Sequence, residues 1–168
     1  MTHYAIEMYD FHEWANRTMF GRLKELPRDV YVRHIRSVFP SVAKTMAHIY
    51  IADHGWLDTM AGTSMSEALE IARELQEQIE AKSLEELEEA YAELAGRYRS
   101  FLDGQPDLDR TITLDNPYAG LRETRLSEMV LQVVNHDTYH RGNVTAMLRQ
   151  MGHASTMTEY ALYWYAKR

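Results

Sequence analysis

The sequence contains no cysteine. This absence excludes disulfide bonds, thiolate metal sites and a cysteine nucleophile. Any thiol chemistry would therefore need a thiol that a cofactor or a substrate brings. Proline and glycine are also scarce: only 4 prolines and 8 glycines occur among 168 residues, and long stretches contain neither. Their scarcity favours helices over a turn-rich β fold.

Long apolar runs and an excess of positive charge are missing as well. No run approaches the roughly 18 apolar residues that a membrane-spanning helix needs. The first residues, Met1-Thr2-His3-Tyr4, lack the basic start and the apolar block of a signal peptide. We therefore expect a cytoplasmic protein without a membrane partner. The formal net charge of −7 opposes attraction to phosphate backbones and argues against a nucleic-acid partner.

The composition that remains is typical of a globular protein, with 45% hydrophobic and 26% charged residues. We expect a single domain over residues 1–168, because this length suffices to bury one core. Amphipathic stripes predict four long helices, at about residues 2–26, 41–62, 83–103 and 127–152. Ser83 and Glu86 form a capping box at the start of the third helix.

The connections between these helices carry weaker signals. Residues 66–82 have helical composition, and we interpret them as a short helix inside a long connection. Residues 105–125 contain turn residues between two short β-prone runs, which predicts a small hairpin or loop. The aromatic tail at residues 158–166 is expected to pack against the helices or against a second subunit.

The last predicted helix carries two histidines in an apolar row. Seven residues share one face at spacings of three and four: Met129, Val133, His136, His140, Val144, Met147 and Met151. Since residues four apart are about 6 Å apart at Cβ, His136 and His140 can both reach one metal ion. A metal on one ring nitrogen and an acceptor on the other would satisfy buried imidazoles. A hydrogen-bonded pair of structural histidines explains the same pattern, so the pair alone leaves both interpretations open.

His48 favours the metal. It lies midway along the second predicted helix, with the small residues Thr45 and Ala52 on its own face, which leaves room for a polar group. If the second and last helices are adjacent, three imidazoles meet and leave one position of a tetrahedral ion open. We therefore predict a divalent-metal site formed by His48, His136 and His140.

Nearby polar residues carry weaker predictions. Asp53 and Asp137 are candidates to orient histidines or to accept a proton, although Asp137 adjoins a ligand and an outward orientation is an alternative. Arg141 could bind a carboxylate of a thiol cofactor, but a helix-capping salt bridge is the preferred interpretation. The other histidines are assigned to solvent or packing, with His54 and His12 as the first exceptions to consider.

Together these segments resemble the DinB/YfiT-like family. The resemblance rests on Trp14-Ala15-Asn16, on His48 followed by Asp53 and Trp56, and on His136-x3-His140-Arg141-Gly142, in this order over most of the chain. Asn143 is a departure, since many members carry glutamine or another polar residue after the glycine.

The resemblance implies an all-α four-helix bundle with an up-down-down-up connection, often dimeric, with nickel or zinc on the three histidines. A parallel pair of neighbouring helices requires a long crossover, and the connection between the second and third helices would provide it. Characterised relatives are similar in using low-molecular-weight thiols such as bacillithiol, mycothiol or glutathione, as S-transferases or isomerases.

Four functions are compatible with this site. A thiol S-transferase of bacillithiol type, acting on a small molecule as a homodimer, follows from the resemblance. A metal-dependent hydrolase would use the same ion to activate water. A metalloprotease fits less well, because Asp137 replaces the glutamate of HExxH, and Asn143 and Ala146 replace the downstream glycine and histidine. A non-catalytic, stress-associated metal-binding protein is the fourth alternative.

Overall fold

The computed structural model describes residues 2–167 and consists mainly of helices. The elements are α1 (Tyr4–Lys24), α2 (Arg28–Val32), α3 (Val42–Ala61), α4 (Met65–Glu80), α5 (Leu84–Asp103), β1 (Thr111–Asn116), β2 (Gly120–Arg125), α6 (Leu126–Gln150) and α7 (Tyr160–Ala166). Among residues 2–167, no helix is both long enough and apolar enough to span a membrane. The prediction of a mainly helical fold is confirmed, with a two-stranded sheet added to it.

The helix ends follow from local sequence signals. Ser41 and Ser64 accept hydrogen bonds from backbone N–H groups at the starts of α3 and α4. The predicted capping box of Ser83 and Glu86 is present at the start of α5. Gly62 ends α3 with a φ of 113°, a left-handed conformation that glycine adopts without a Cβ penalty.

Of the hairpin or loop predicted before the last long helix, the structure shows a hairpin, and one helix is longer than expected. Strands β1 and β2 pair in antiparallel register from Thr111 opposite Arg125 to Asn116 opposite Gly120. The connection between α3 and α5 contains α4, a helix of 16 residues rather than a short one. Only Ala68 and Ile79 of α4 are buried, so this helix mainly covers α3 and contributes Ile79 to the core.

The four longest helices share one interior, and two of its three described apolar clusters each draw on all four of these helices. Helices α1 and α3 each pack against α5 and α6. One cluster includes Phe20, Met46 and Val144, whereas the other includes Met60 and Val133. In α1 and α6 the residues of the second cluster precede those of the first cluster in sequence. In α3 and α5 this order is reversed.

Five polar side chains lie between the two apolar clusters and are almost completely buried. This polar layer consists of His12, Asn16, Asp53, Asp137 and Arg141. It draws on α1, α3 and α6, and each of these helices places its polar residues between its contributions to the two clusters. Buried polar groups of this kind are stable only when they pair with one another.

Two tyrosines of α5 attach this helix to α3. The Tyr91 hydroxyl donates to the Met46 carbonyl oxygen at 2.7 Å, and the Tyr98 hydroxyl donates to the Asp53 carbonyl oxygen at 2.7 Å. Both rings are buried, and both belong to the apolar stripe of α5. Each phenol therefore satisfies its polar atom inside the core.

Candidate metal centre

Three histidines from two helices meet at one point of the structure. α3 presents His48, and α6 presents His136 and His140 one helical turn apart, so that both project in the same direction. Each histidine offers a ring nitrogen, and these nitrogens all lie within 4.8 Å of one another. We call His48, His136 and His140 the histidine trio. The structure thus brings together the three residues that the sequence predicted as ligands.

The distances within the trio suit a small cation. His48 Nε2 and His136 Nε2 are 3.3 Å apart. Two Zn–N bonds of about 2.0–2.1 Å at a tetrahedral angle place their nitrogens about 3.3–3.4 Å apart. His140 Nδ1 is buried and has no hydrogen-bond partner among residues 2–167. The donor set and its unpartnered nitrogen therefore fit a divalent ion.

The environment favours neutral imidazoles at two of the three positions. Burial, with the neighbouring His136 and His48, lowers the pKa of His140 to about 4. Burial and the nearby His136 lower the pKa of His48 too. At His136 burial acts in the same direction, but the hydrogen bond and charge of Asp137 outweigh it and raise the pKa. Neutral imidazole is the form that binds metal, so the lowered pKa values keep His48 and His140 in the metal-binding form at neutral pH.

Aromatic side chains cover the trio on one side. The Phe39 ring lies 4.7 Å from the His48 ring and 5.6 Å from the His140 ring, measured between centroids. Tyr139 contacts His140 edge-on at 5.0 Å and is itself exposed. This cover reduces the access of water to the imidazoles.

On another side, His48 lines an apolar cavity of about 190 Å³ between α3 and α4. The remaining wall of this α3–α4 cavity is formed by Ile51, Ala52, Gly55, Trp56, Thr59, Met65, Ala68, Leu69 and Ala72. None of these residues carries a charge. The cavity can therefore accept the apolar part of a small molecule whose reactive end lies beside the trio.

The polar layer contacts the histidine trio through Asp137. Asp137 Oδ1 lies 3.3 Å from His136 Nδ1, which leaves His136 Nε2 facing His48. Asp137 Oδ2 lies 3.4 Å from His12 Nδ1, and His12 Nε2 lies 3.0 Å from Asp53 Oδ2. A carboxylate behind a ligating imidazole fixes the ring and increases the basicity of its other nitrogen.

Comparison with known proteins identifies the family. The family model described as the DinB family matches residues 1–167. The chain belongs to the DinB family. It is 45% identical to the protein named "Protein DinB" from Bacillus subtilis (strain 168) over 163 residues, which cover 97% of this chain and 95% of that relative. The resemblance stated from the sequence is thereby confirmed.

The structure corrects the role expected for Arg141 in this DinB family protein. Arg141 does not cap a helix: its side chain is 1% exposed and lies in the middle of α6. Its Nη1 donates to Asn16 Oδ1 at 2.9 Å and lies 4.0 Å from Asp137 Oδ2, while its Nη2 donates to Thr138 Oγ1 at 2.9 Å. The guanidinium thus balances buried negative charge, and it is enclosed too deeply to bind a cofactor carboxylate.

Both aspartates lie beside histidines, which is one of the two roles considered from the sequence. Asp137 is completely buried rather than pointing outward, and it is the residue that orients His136. Asp53 contacts His12 and none of the metal ligands. Burial raises the pKa of Asp53 to about 7 and lowers the pKa of His12 to about 4, so desolvation favours the uncharged form of both partners.

Sequence reasoning named His12 among the first exceptions and Asn16 in the family resemblance, but it did not place either of them in this constellation. They are four residues apart on α1, and Asn16 Nδ2 lies 3.2 Å from His12 Nε2 and 3.4 Å from Asp137 Oδ2. The available signal was this spacing, on a helix that is buried over much of its circumference. The apolar stripe through Phe11 and Ala15 drew attention to the neighbouring face instead.

A second set of metal-binding side chains occurs in the polar layer, but it is less suited to an ion. His12, Asp53 and Asp137 offer donor atoms that also lie within 4.8 Å of one another. However, the Arg141 guanidinium and the Asn16 amide already direct donors toward Asp137. A built-in positive charge at this distance repels a cation, whereas the histidine trio has no such neighbour among its described contacts.

Asp137→Asn is expected to weaken metal binding about tenfold or more, because the neutral amide no longer increases the basicity of His136. The affinity for zinc can be measured by competition with a chelating dye. Asp58→Asn is the matched control, since Asp58 pairs with His54 and Arg97 instead. Equal affinities in the two variants would show that Asp137 plays no part in the metal centre.

Proposed function

We propose that this DinB family protein holds a divalent ion, zinc or nickel, on His48, His136 and His140. With it the protein joins a low-molecular-weight thiol of bacillithiol type to an electrophilic small molecule: the thiol would lose its proton to solvent, and the new carbon–sulfur bond would form as the bond to the leaving group breaks. The observation that carries the proposal is the meeting of three imidazole nitrogens within 4.8 Å beside an apolar cavity. The absence of cysteine requires that the thiol comes from a second substrate.

The histidines, Asp137 and the cavity residues have separate roles in this reaction. A divalent ion supplies a positive charge that lowers the pKa of a nearby thiol, so that a thiolate is present at neutral pH. The three histidines hold the ion, and Asp137 fixes the orientation of His136. The α3–α4 cavity binds the apolar part of the electrophile and excludes water from it.

The walls of the α3–α4 cavity argue against hydrolysis. Hydrolytic metal sites commonly employ a carboxylate as general base next to the bound water. Among the described residues that line this cavity, none carries a carboxylate. The nearest acid of the site, Asp137, is buried on the far side of His136 and is engaged with it. The site is therefore better suited to a nucleophile that arrives from outside.

We further propose that the domain is a four-helix bundle of up-down-down-up topology. The direction of each helix relative to the two apolar clusters supports this topology. Helices α1 and α6 run from the second cluster to the first, and α3 and α5 run from the first cluster to the second. We also propose a homodimer. Its support is the exposed aromatic surface of the last helix, where Trp164 is 58% and Tyr165 is 65% exposed.

Metal-loaded protein is expected to accelerate the reaction of bacillithiol with monobromobimane. His48→Ala is expected to lower the protein-dependent rate at least about a hundredfold. Glutathione and mycothiol serve as alternative thiols in the same fluorescence assay. His54→Ala is the control, because His54 pairs with Asp58 outside the trio. Metal-loaded wild-type protein without any thiol-dependent rate would favour the non-catalytic metal-binding alternative.

A further inference from the structure

The α3–α4 cavity is small and is bounded by short side chains. Its volume of about 190 Å³ lies below the roughly 300–1,000 Å³ of sites that enclose drug-sized molecules. An engineered apolar cavity of about 150 Å³ binds one benzene molecule. The α3–α4 cavity is therefore matched to one aromatic ring with a short substituent. The residues that leave this space open are Ala52, Gly55, Ala68 and Ala72.

The walls of this cavity do not compensate a charge on a ligand. Among residues 2–167, no Asp, Glu, Lys or Arg side chain lines it, and its imidazole, His48, turns Nε2 toward His136. The Thr59 hydroxyl donates to the Gly55 carbonyl oxygen at 2.8 Å, so its proton is already engaged. Burying an ionised group without a partner is costly, because its hydration is lost. The cavity therefore selects uncharged, apolar bodies.

Only one of the two substrates of the proposed reaction suits these walls. Low-molecular-weight thiols such as glutathione carry carboxylates and amide groups, which this cavity would bury without partners. The thiol must then reach the metal centre from outside the cavity. His48 lines the cavity and also belongs to the histidine trio, so a body inside the cavity lies directly beside the trio. This arrangement assigns the cavity to the electrophile.

We propose that the electrophile is an uncharged, compact apolar molecule, about the size of a benzyl group, with a leaving group on a saturated carbon. Its role as a substrate rests on the proposed thiol transfer, whereas the binding preference of the cavity does not depend on turnover. With a benzyl halide, the thiol proton passes to solvent and the sulfur attacks the benzylic carbon. The carbon–sulfur bond forms as the carbon–halogen bond breaks, and halide leaves.

Gly55 allows a substitution that fills the cavity. It lies on the cavity wall in α3, and a Cβ added there would be 3.9 Å from the Ala68 carbonyl oxygen of α4, an ordinary contact distance. Gly55→Leu therefore places its side chain between α3 and α4. Gly21→Leu is the matched control, since Gly21 lies in α1 outside the cavity and a Cβ there would have no atom within 4 Å. Ala72→Leu fills the same space from α4 and decides if Gly55→Leu does not fold.

Binding is measured by NMR titration of the full-length protein, as purified, with benzyl alcohol, in which a hydroxyl group replaces the leaving group. Of the three tryptophans, Trp56 alone lines the cavity, so its indole N–H signal is expected to shift saturably. The anionic comparator, 4-(hydroxymethyl)benzoate, should bind at least about tenfold more weakly. Gly55→Leu and Ala72→Leu should each weaken benzyl alcohol at least about tenfold, whereas Gly21→Leu leaves it unchanged.

A rate measurement connects this preference with the reaction. Metal-loaded protein is given bacillithiol with either benzyl chloride or 4-(chloromethyl)benzoate, and each rate is corrected for the reaction without protein. We expect the protein-dependent rate with benzyl chloride to exceed that with the anion at least about tenfold. Gly55→Leu should lower the benzyl chloride rate by a similar factor, and Gly21→Leu should not change it.

Four results would each overturn the proposal: no saturable shift of Trp56 with benzyl alcohol, binding of the anion at least as tight, normal binding by the folded cavity-filling variants, or turnover that favours the anion. Failure of the thiol transfer itself gives a different pattern. Benzyl alcohol then binds with the expected preferences, but neither benzyl chloride nor monobromobimane reacts faster with the metal-loaded protein than without it. That pattern refutes the role as a substrate and supports the binding preference of the cavity.

Discussion

Wild-type protein purified without a histidine tag is expected to carry about one equivalent of zinc or nickel per chain, and His140→Ala essentially none. His140 is the buried member of the trio, and its Nδ1 has no partner among the described residues. Its loss leaves two imidazoles, too few for a stable structural or catalytic zinc site. Elemental analysis by mass spectrometry measures the content directly.

Thermal unfolding provides a second measurement of the same site. A ligand at 1,000 times its dissociation constant stabilises the native state by about 4 kcal/mol. Added zinc should therefore raise the melting temperature of the wild type and leave that of His140→Ala unchanged. His54→Ala is the control, because His54 is paired with Asp58 at 3.1 Å and lies outside the trio. Equal metal content in all three proteins would refute the site.

Arg141→Met is expected to lower the free energy of unfolding by about 3–5 kcal/mol, the usual cost of removing one partner from a buried charged pair. Methionine keeps much of the length of the side chain but removes the donors to Asn16 and Thr138. Asp137, completely buried, then loses the positive charge 4.0 Å away. Urea denaturation followed by circular dichroism gives the free energy difference.

Arg149→Met, an exposed position on the same helix, is the matched control and should change stability by about 0.5 kcal/mol or less. A double variant with Asp137→Asn tests the reason for the loss. If the uncompensated carboxylate is responsible, the two changes together cost less than the sum of their separate effects. A loss at Arg141 as small as at Arg149, or simple additivity, would contradict the charge-balancing role.

The long helices and the histidine trio were predictable from the sequence because both depend on periodic patterns. The apolar row that contains His136 and His140 places two imidazoles on one inward face of α6. Ser83 and Glu86 act through hydrogen bonds within a single turn, so local sequence suffices to position them. The place of His48 opposite them required only that α3 and α6 be neighbours.

The polar layer was not predictable in the same way, because its members are paired across helices that are distant in sequence. Arg141 and Asn16 are charged and polar residues of ordinary appearance, and hydropathy alone assigns both to the surface. Only the contact of α1 with α6 brings the amide to the guanidinium.

The two tyrosine–carbonyl bonds described for α5 have a mechanical consequence. Tyr91 and Tyr98 are seven residues apart, and so are their acceptors on α3, the carbonyl groups of Met46 and Asp53. Axial sliding of α5 by one turn, about 5.4 Å, would break both bonds together. We therefore expect α3 and α5 to move as one rigid body. We expect a breathing motion that admits a ligand to the α3–α4 cavity to involve α4, which no such pair of phenols ties to α3 among residues 2–167.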